Sequence, residues 1–352
     1  MGSRTWNKGR RLLAGLLAAV MLAGIPGMPV RAAEAARGGT GRNDTELKLW
    51  YDEPSSQTGT PGAMGDYGPG TIGNIWQQDT LPIGNGTIGA NIFGEIGTEC
   101  VSLNEQTLWN GGPSEGRPNY VGGNRASAAG NGAAIREIQD TFRQGGTPTG
   151  AQLNKLLGEG DNLGNGYGYF QPWGNLNIAT DGLSDTSAVT GYQRWLSLDN
   201  ALAGVEFTSG GKRYTREYLT SHPDRVLAAK LTADQSATFT ITLPGRMDGS
   251  NNVHQAVAVD GDTLSLCGQL IDNQLKYASF LTAVPGNAAT SVSAQGDHIT
   301  VIGTEVVLIF FAATDYAQDY PVYRTGETDS ELAERVRKVV KVAVEKGYDA
   351  IK

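Results

Sequence analysis

Residues that bind metals or carry redox chemistry are scarce in this chain. Its 352 residues include two cysteines, Cys100 and Cys267, and three histidines, His222, His254 and His298. No C-x-x-C or H-x-x-x-H spacing occurs, so the sequence offers no metal ligand set. It also lacks a P-loop and a G-x-S-x-G turn, and no cofactor is expected. The "GNG" at Gly84–Gly86 has no helix after it and does not read as a phosphate cradle. Positive charge is in deficit: 28 Lys+Arg against 36 Asp+Glu give a net charge of −8. With no basic cluster beyond the first residues, nucleic acid is excluded as an expected partner. Long apolar runs are missing after Ile25, so no later membrane span is expected.

What is present is glycine, 49 residues in all, or about twice the usual share. There is no Gly-X-Y period, and 39% hydrophobic residues supply a sizeable core. The start of the chain has its own grammar. Arg4, Lys8, Arg10 and Arg11 precede an uncharged run from Leu12 to Ile25; Pro26 and Pro29 break it, and small residues follow. That order predicts a signal peptide over residues 1–36, cleaved near Ala32 to Ala36, hence a secreted protein with no membrane association after cleavage. Residues 37–46 read as a disordered start to the mature chain. Export permits a Cys100–Cys267 disulfide. Both cysteines also sit in strand-like apolar segments where free cysteine is common, so both readings stand.

Strand patterning dominates from Leu47 onward. "LKLWYDEP" reads as a first strand and the Gly/Pro-rich stretch after it as loop. In "TIGANIFG", Ile88, Ala90 and Ile92 alternate with Thr87, Gly89 and Asn91, the period of a strand. "EIG" turns the chain and "TECVSL" returns it. Later strands are predicted at "NLNIAT", "GVEFTSGGKRYTREYLTS" (a hairpin on Gly210–Gly211), "RVLAAKLTA", "ATFTITLPG", "DTLSLCGQL", "LKYASFLTAV", "HITVIG" and "EVVLIFFAATDY". Between them lies a helical insert. One helix places Ile135, Ile138 and Phe142 on one face, and a second ends at Gly158. The chain closes on a helix from Thr328, with Ser330 or Asp329 as cap and an apolar stripe of Leu332, Val336, Val339, Val340 and Val344. On its own this stripe needs a partner. The fold class is therefore mainly β: a large antiparallel β-sandwich (super-sandwich) with a short helical insert and a C-terminal helix.

The segment "LPIGNGTIGANIFGEIGTECVSLNEQTLWNGGP" (Leu81–Pro113) resembles glycoside hydrolase family 95, the secreted α-L-fucosidases. The resemblance extends through "LWYDEP", "GYFQPWGNLNI", Gly191–Ala233 and "ATDY", in order. It departs at Trp173, where an aliphatic residue is expected, and at Asn175, where Asp is expected. The resemblance implies a β-sandwich over residues 47–320, a helical linker starting at 321–352, and then an (α/α)6 barrel carrying the inverting machinery, followed by a small β domain. The last two are absent from this sequence. It implies action on fucosylated oligo- or polysaccharides, with no catalytic residue in this segment and the barrel as the sandwich's partner.

Local candidates are weighed against that frame. Glycoside hydrolysis needs two carboxyl groups across the scissile bond. Asp52 and Glu53, at a strand end, are expected to bond loop amides. Glu95 and Glu99 are expected to be solvated. Asn104, Glu105 and Trp109 are the candidate substrate-binding residues: polar groups at a strand end beside an aromatic face that could stack on a sugar. The competing reading has Asn104 and Glu105 satisfying a turn while Trp109 packs in the core. Tyr167, Tyr169, Phe170 and Trp173 could form a sugar platform or ordinary core, and His222 is expected in a turn. The alternatives to an enzyme part are a non-catalytic carbohydrate-binding module and a domain that only supports the barrel. The supporting-domain reading predicts poor solubility for the isolated chain.

Overall fold

The computed structural model describes residues 47–55, 79–112, 131–157, 168, 170–183, 186–245, 254–319 and 322–352. The expected signal peptide and disordered start lie outside these residues, as do Tyr167 and Tyr169. In chain order the strands are β1 (Lys48–Tyr51), β2 (Leu81–Gly84), β3 (Ile88–Ile92), β4 (Thr98–Glu105), β5 (Gly174–Thr180), β6 (Val189–Ser197), β7 (Leu202–Ser209) and β8 (Lys212–Thr220). They continue with β9 (Leu227–Thr242), β10 (Pro244–Gly245), β11 (His254–Gln255), β12 (Val257–Asp260), β13 (Thr263–Gln269), β14 (Lys276–Pro285), β15 (Ser291–Gln295) and β16 (His298–Thr314). The helices are α1 (Asn131–Arg143), α2 (Gly150–Leu157), α3 (Asp329–Lys346) and α4 (Tyr348–Ile351).

Two long strands organise the sheet. One row runs β1-β6-β7-β8-β9-β16-β14-β13-β12, all antiparallel. A second row runs β2-β3-β4-β5, joins the far end of β9 through Asn177–Thr180, and continues across the start of β16 to β15. β9 and β16 therefore belong to both rows. Because β2 lies against β7 and β8, the rows form two layers over one core that includes Ile92, Val101, Leu103, Val205, Phe207 and Tyr218. On one flank Ala258 donates to Gly296 O and Ala294 to Gly261 O, each at 2.8 Å, tying β12 to the β15–β16 turn.

This continuity differs from the expected pairs of short strands. "RVLAAKLTA" and "ATFTITLPG" form the single strand β9, and "HITVIG" and "EVVLIFFAATDY" form β16. Asp234–Ser236 break the apolar alternation and look like a turn. The chain stays extended through them, exposed, while it leaves one layer for the other. The pairing accommodates the change by a register shift: Gly303 faces Ala237 while Glu305 faces Thr232, so the extra residues bulge from β9.

Other expectations are met closely. The alternation in β3 buries Ile88, Ala90 and Ile92. Gly210 (φ 58°) and Gly211 (φ 76°) join Ser209 to Lys212, the left-handed pair that a two-residue hairpin turn requires. A Cβ at either glycine would meet nothing within 4 Å, so Gly211→Ala tests the backbone alone. It is expected to cost about 1 kcal/mol, read as a lower urea midpoint with unchanged slope. In α1, Ile138 is buried but Ile135 and Phe142 are exposed, so the expected face is only partly covered by described residues.

The stripe on α3 has its partner within the fold. Leu332, Val336, Val340 and Ala343 are buried as the helix lies across β14 and β16, and Val339 and Val344 pack at the edge of the same core. The partner that the stripe needs is therefore the sheet itself, which removes the exposed stripe as a ground for expecting poor solubility. The cap is Thr328, not Ser330 or Asp329: Glu331 N donates to Thr328 Oγ1 and Thr328 N to Glu331 Oε2, a full capping box.

Candidate functional site

Asn104, Glu105 and Trp109 stand where β4 runs out into a loop, and the structure parts them. Asn104 is exposed. Its side chain lies over Gly89 on the paired strand, where a Cβ would come within 2.2 Å of Asn104 Oδ1, so the glycine makes room for the amide. Glu105 points inward and is buried. Thr107 N–H and Oγ1 lie 2.9 and 2.7 Å from Glu105 Oε2, and Thr107 Oγ1 meets Thr314 Oγ1 at 2.6 Å. Burial pushes the Glu105 carboxyl up to about 7, against the bonds from Thr107 and the charge of Arg335.

Trp109 is half-exposed. Its indole N–H donates to Gln106 O at 3.1 Å, and its ring meets Phe170 edge-on at 5.9 Å. The two residues also form a β-bridge. The β13–β14 loop holds this rim in place: Asn273 Nδ2 donates to Trp109 O and Gly111 O at 2.8 and 2.7 Å, and Gly111 N donates to Asp272 Oδ2 at 2.8 Å. Beneath it, Asp315 accepts from Lys276 N at 3.0 Å and faces Arg324 at 3.7 Å. Burial raises its carboxyl above the ordinary range. Arg335 of α3 grips Glu327 with two bonds of 2.7 and 2.9 Å and donates to Thr314 O at 3.0 Å. The post-β4 loop, the β13–β14 loop, the segment after β16 and the start of α3 thus meet at one end of the sandwich.

Among the described residues, this end can present an aromatic rim, not a carboxyl pair. Glu105 and Asp315 are turned into the protein, exposed by only 2% and 4%. Of the four aromatics read as a sugar platform or ordinary core, Tyr167 and Tyr169 lie outside the described residues; Trp173 is wholly buried core, edge-on to Tyr277 and Phe310, while Phe170 joins Trp109 at the surface. His222 lies in a turn, as its place before Pro223 predicts. Cys100 and Cys267 are both free, the first buried and the second exposed.

Sequence reasoning missed a second cluster. Glu99, expected in solvent, is fully buried. Its Oε1 accepts from Gly94, Glu95 and Cys100 amides at 2.8, 3.3 and 3.1 Å. Its Oε2 faces Arg216 Nη1 at 3.2 Å and the Tyr218 hydroxyl at 3.4 Å. Burial lifts the Glu99 carboxyl, opposed by the Arg216 charge and the amides of Gly94 and Glu95. Glu95, also expected in solvent, is half-buried, accepts from Ser55 Oγ at 2.9 Å, and is pushed by burial up to about 7. A signal was available. Strand alternation sets Glu99 on the face of Val101 and Leu103, and Arg216 on the face of Tyr214 and Tyr218; all four neighbours are buried.

The fold defines the class: a large two-layer antiparallel β-sandwich domain with a helix packed across β14 and β16. The family follows from residues 49–319, which match the model described as "Glycosyl hydrolase family 65, N-terminal domain". The chain belongs to that family of glycosyl hydrolase N-terminal domains. It is similar to "Probable alpha-fucosidase A" of Aspergillus niger, 34% identical over 277 residues, covering 76% of this chain and 30% of that protein. The protein of the same name from Aspergillus oryzae is 34% identical over 270 residues, 74% of this chain and 35% of that one. "Alpha-L-fucosidase 2" of Arabidopsis thaliana is 29% identical over 161 residues, 46% of this chain and 17% of the relative. The chain thus spans about a third or less of the length of these curated relatives.

Proposed function

We propose that this chain is the N-terminal β-sandwich of an exported family 95 type α-L-fucosidase, an inverting enzyme acting on fucosylated glycans. The observation that carries the reading is the 34% identity to an α-fucosidase across 277 residues. In this reading the sandwich orders an (α/α)6 barrel that holds the two carboxyl groups, and residues 321–352 begin the linker to it. Inward-turned Glu105 and Asp315 support the absence of hydrolytic machinery from the sandwich itself, since hydrolysis needs carboxyls open to the scissile bond. Residues 37–352, expressed alone, are expected to give no turnover of a chromogenic α-L-fucoside. Robust turnover would overturn the assignment of catalysis to the barrel.

A second reading, a glycan-binding module, is favoured by the exposed Trp109–Phe170 pair. An aromatic face open to solvent can stack on a sugar ring. Calorimetry with fucosylated oligosaccharides is expected to show saturable binding that weakens about tenfold in Trp109→Ala, the scale of ~1.4 kcal/mol. Absence of binding to any fucosylated glycan removes this reading and leaves the supporting role.

A further inference from the structure

A groove of about 330 Å³ lies between α3 and the β8–β9 turn, with Arg225, Arg335, Lys338, Val339 and Val342 in its walls. The turn is rigid. Ser221 N donates to Val226 O at 2.8 Å and Ser221 Oγ to Asp224 Oδ2 at 2.7 Å. Lys346 of α3 reaches both Asp224 oxygens at 2.8 Å, fixing the two walls against each other.

The charges in the groove do not cancel. Burial opposes ionisation of Asp224, but the bonds from Lys346 and Ser221 win and hold its carboxyl below the ordinary range. Its charge is therefore already matched by Lys346. Arg335 is likewise spent on Glu327. Arg225 and Lys338 remain, and among the described residues neither has a carboxylate partner. The Arg225 guanidinium lies 5.5 Å from the Phe311 ring centroid, so it sits over an aromatic face with its N–H donors unspent.

Arg225 also has φ 63°. A branch-free glycine would hold this turn position with less strain. What arginine adds there is its side chain. Two unmatched cations beside the aliphatic surfaces of Val339 and Val342 complement a ring that carries an anionic group: the charge meets the cations and the ring's apolar face meets the valines. The groove's volume is at the lower end of the range of small-ligand sites. The chain as a whole carries a net charge of −8, so a general attraction of anions does not account for such a site.

We propose that the Arg225–Lys338 groove binds acidic saccharide, through the carboxylate or sulfate group of a single sugar unit. The anion follows from the groove's own charges; the sugar class rests on the glycan-acting reading proposed above, and the sulfate and pentaglutamate arms below separate failure of the sugar class from failure of the anion site.

The test is calorimetric titration of the full chain with trigalacturonate, sodium sulfate, maltotriose and pentaglutamate. Trigalacturonate is expected to bind at one site, with sulfate as a weaker competitor and maltotriose silent. Raising ionic strength from about 0.02 to 0.2 M should weaken binding several-fold. Arg225→Gly and Lys338→Gln should each weaken it about tenfold. Arg225→Gly should leave the melting temperature nearly unchanged, because the relief of the left-handed turn offsets the lost contact with the Phe311 ring; this separates lost binding from lost folding. The proposal fails if trigalacturonate does not saturate, if both variants bind like the parent, or if maltotriose binds as well. Equal binding of pentaglutamate would overturn the saccharide assignment in favour of an acidic peptide.

Discussion

Arg216→Met is expected to destabilise the chain by about 3–5 kcal/mol, because it strands a buried carboxylate. Arg216 is 1% exposed and Glu99 0%. The guanidinium also donates to Glu95 O, to Ile96 O at 2.7 Å and to Thr180 Oγ1 at 3.3 Å. One cation thus serves the β3–β4 turn, β4 and β5 at once, from a strand of the opposite layer. Methionine matches the length of the arginine stem but replaces none of these donors, and the Glu99 carboxyl must then take up a proton or carry an uncompensated charge in the core. At roughly 1.5 °C per kcal/mol for a unit of this length, the melting temperature should fall by about 5–8 °C. Glu99→Gln in the same chain should recover part of the loss by removing the stranded charge. Recovery is expected to be partial, since an amide accepts the Gly94, Glu95 and Cys100 N–H groups more weakly than a carboxylate does. A melting temperature within about 2 °C of the parent for Arg216→Met would sink the claim that this pair holds the layers together.

The contrast between this cluster and the hairpins shows what a sequence exposes. β3 and the Gly210–Gly211 turn are local: their residues are neighbours in the chain, and period two or a positive φ is enough to place them. Glu99 and Arg216 are 117 positions apart, and only the folding of one row over the other brings them together. Base rates put Glu99 in water, while the strand's own alternation put it on the face of Val101 and Leu103; the alternation was the better guide because both faces of β4 are covered. The same gap explains β9 and β16. A break in apolar alternation marks a turn when a strand has one layer to live in, and a crossing when it has two. At the candidate site the residue types were legible and the directions were not. Asn104, Glu105 and Trp109 come from one short stretch, yet one faces solvent, one the interior, and one is propped half-open by Asn273, which arrives from a distant loop.

Those inward carboxyls give the chain a stability that declines from mildly acidic to neutral pH. Glu105 and Glu95 are both pushed by burial to about 7 from an ordinary 4.5. A carboxyl whose pKa is raised on folding holds its proton more tightly in the folded state than in the unfolded one. Its contribution is therefore constant below about 4.5, falls as pH rises between 4.5 and 7, and levels off above. For Glu105, buried and sealed by Thr107, the difference amounts to about 3 kcal/mol across that interval; Glu95, half-buried, adds in the same direction. Asp315 is raised by burial as well. The opposite group is smaller and acts elsewhere. Glu327, held down by Arg335, Glu331, held down by the Thr328 amide, and Asp224, bonded by Lys346, contribute stability that is lost as pH falls through their lowered values. The melting temperature should accordingly peak near pH 5 and be lower at pH 8 by about 5–10 °C. Glu105→Gln keeps an oxygen for Thr107 to donate to and removes the titration. It should flatten most of the decline between pH 5 and pH 8, raising stability at pH 8 and leaving pH 5 nearly unchanged. A Glu105→Gln profile parallel to the parent's would show that Glu105 is ionised in the folded chain, with Arg335 or water supplying the charge balance that its burial denies it.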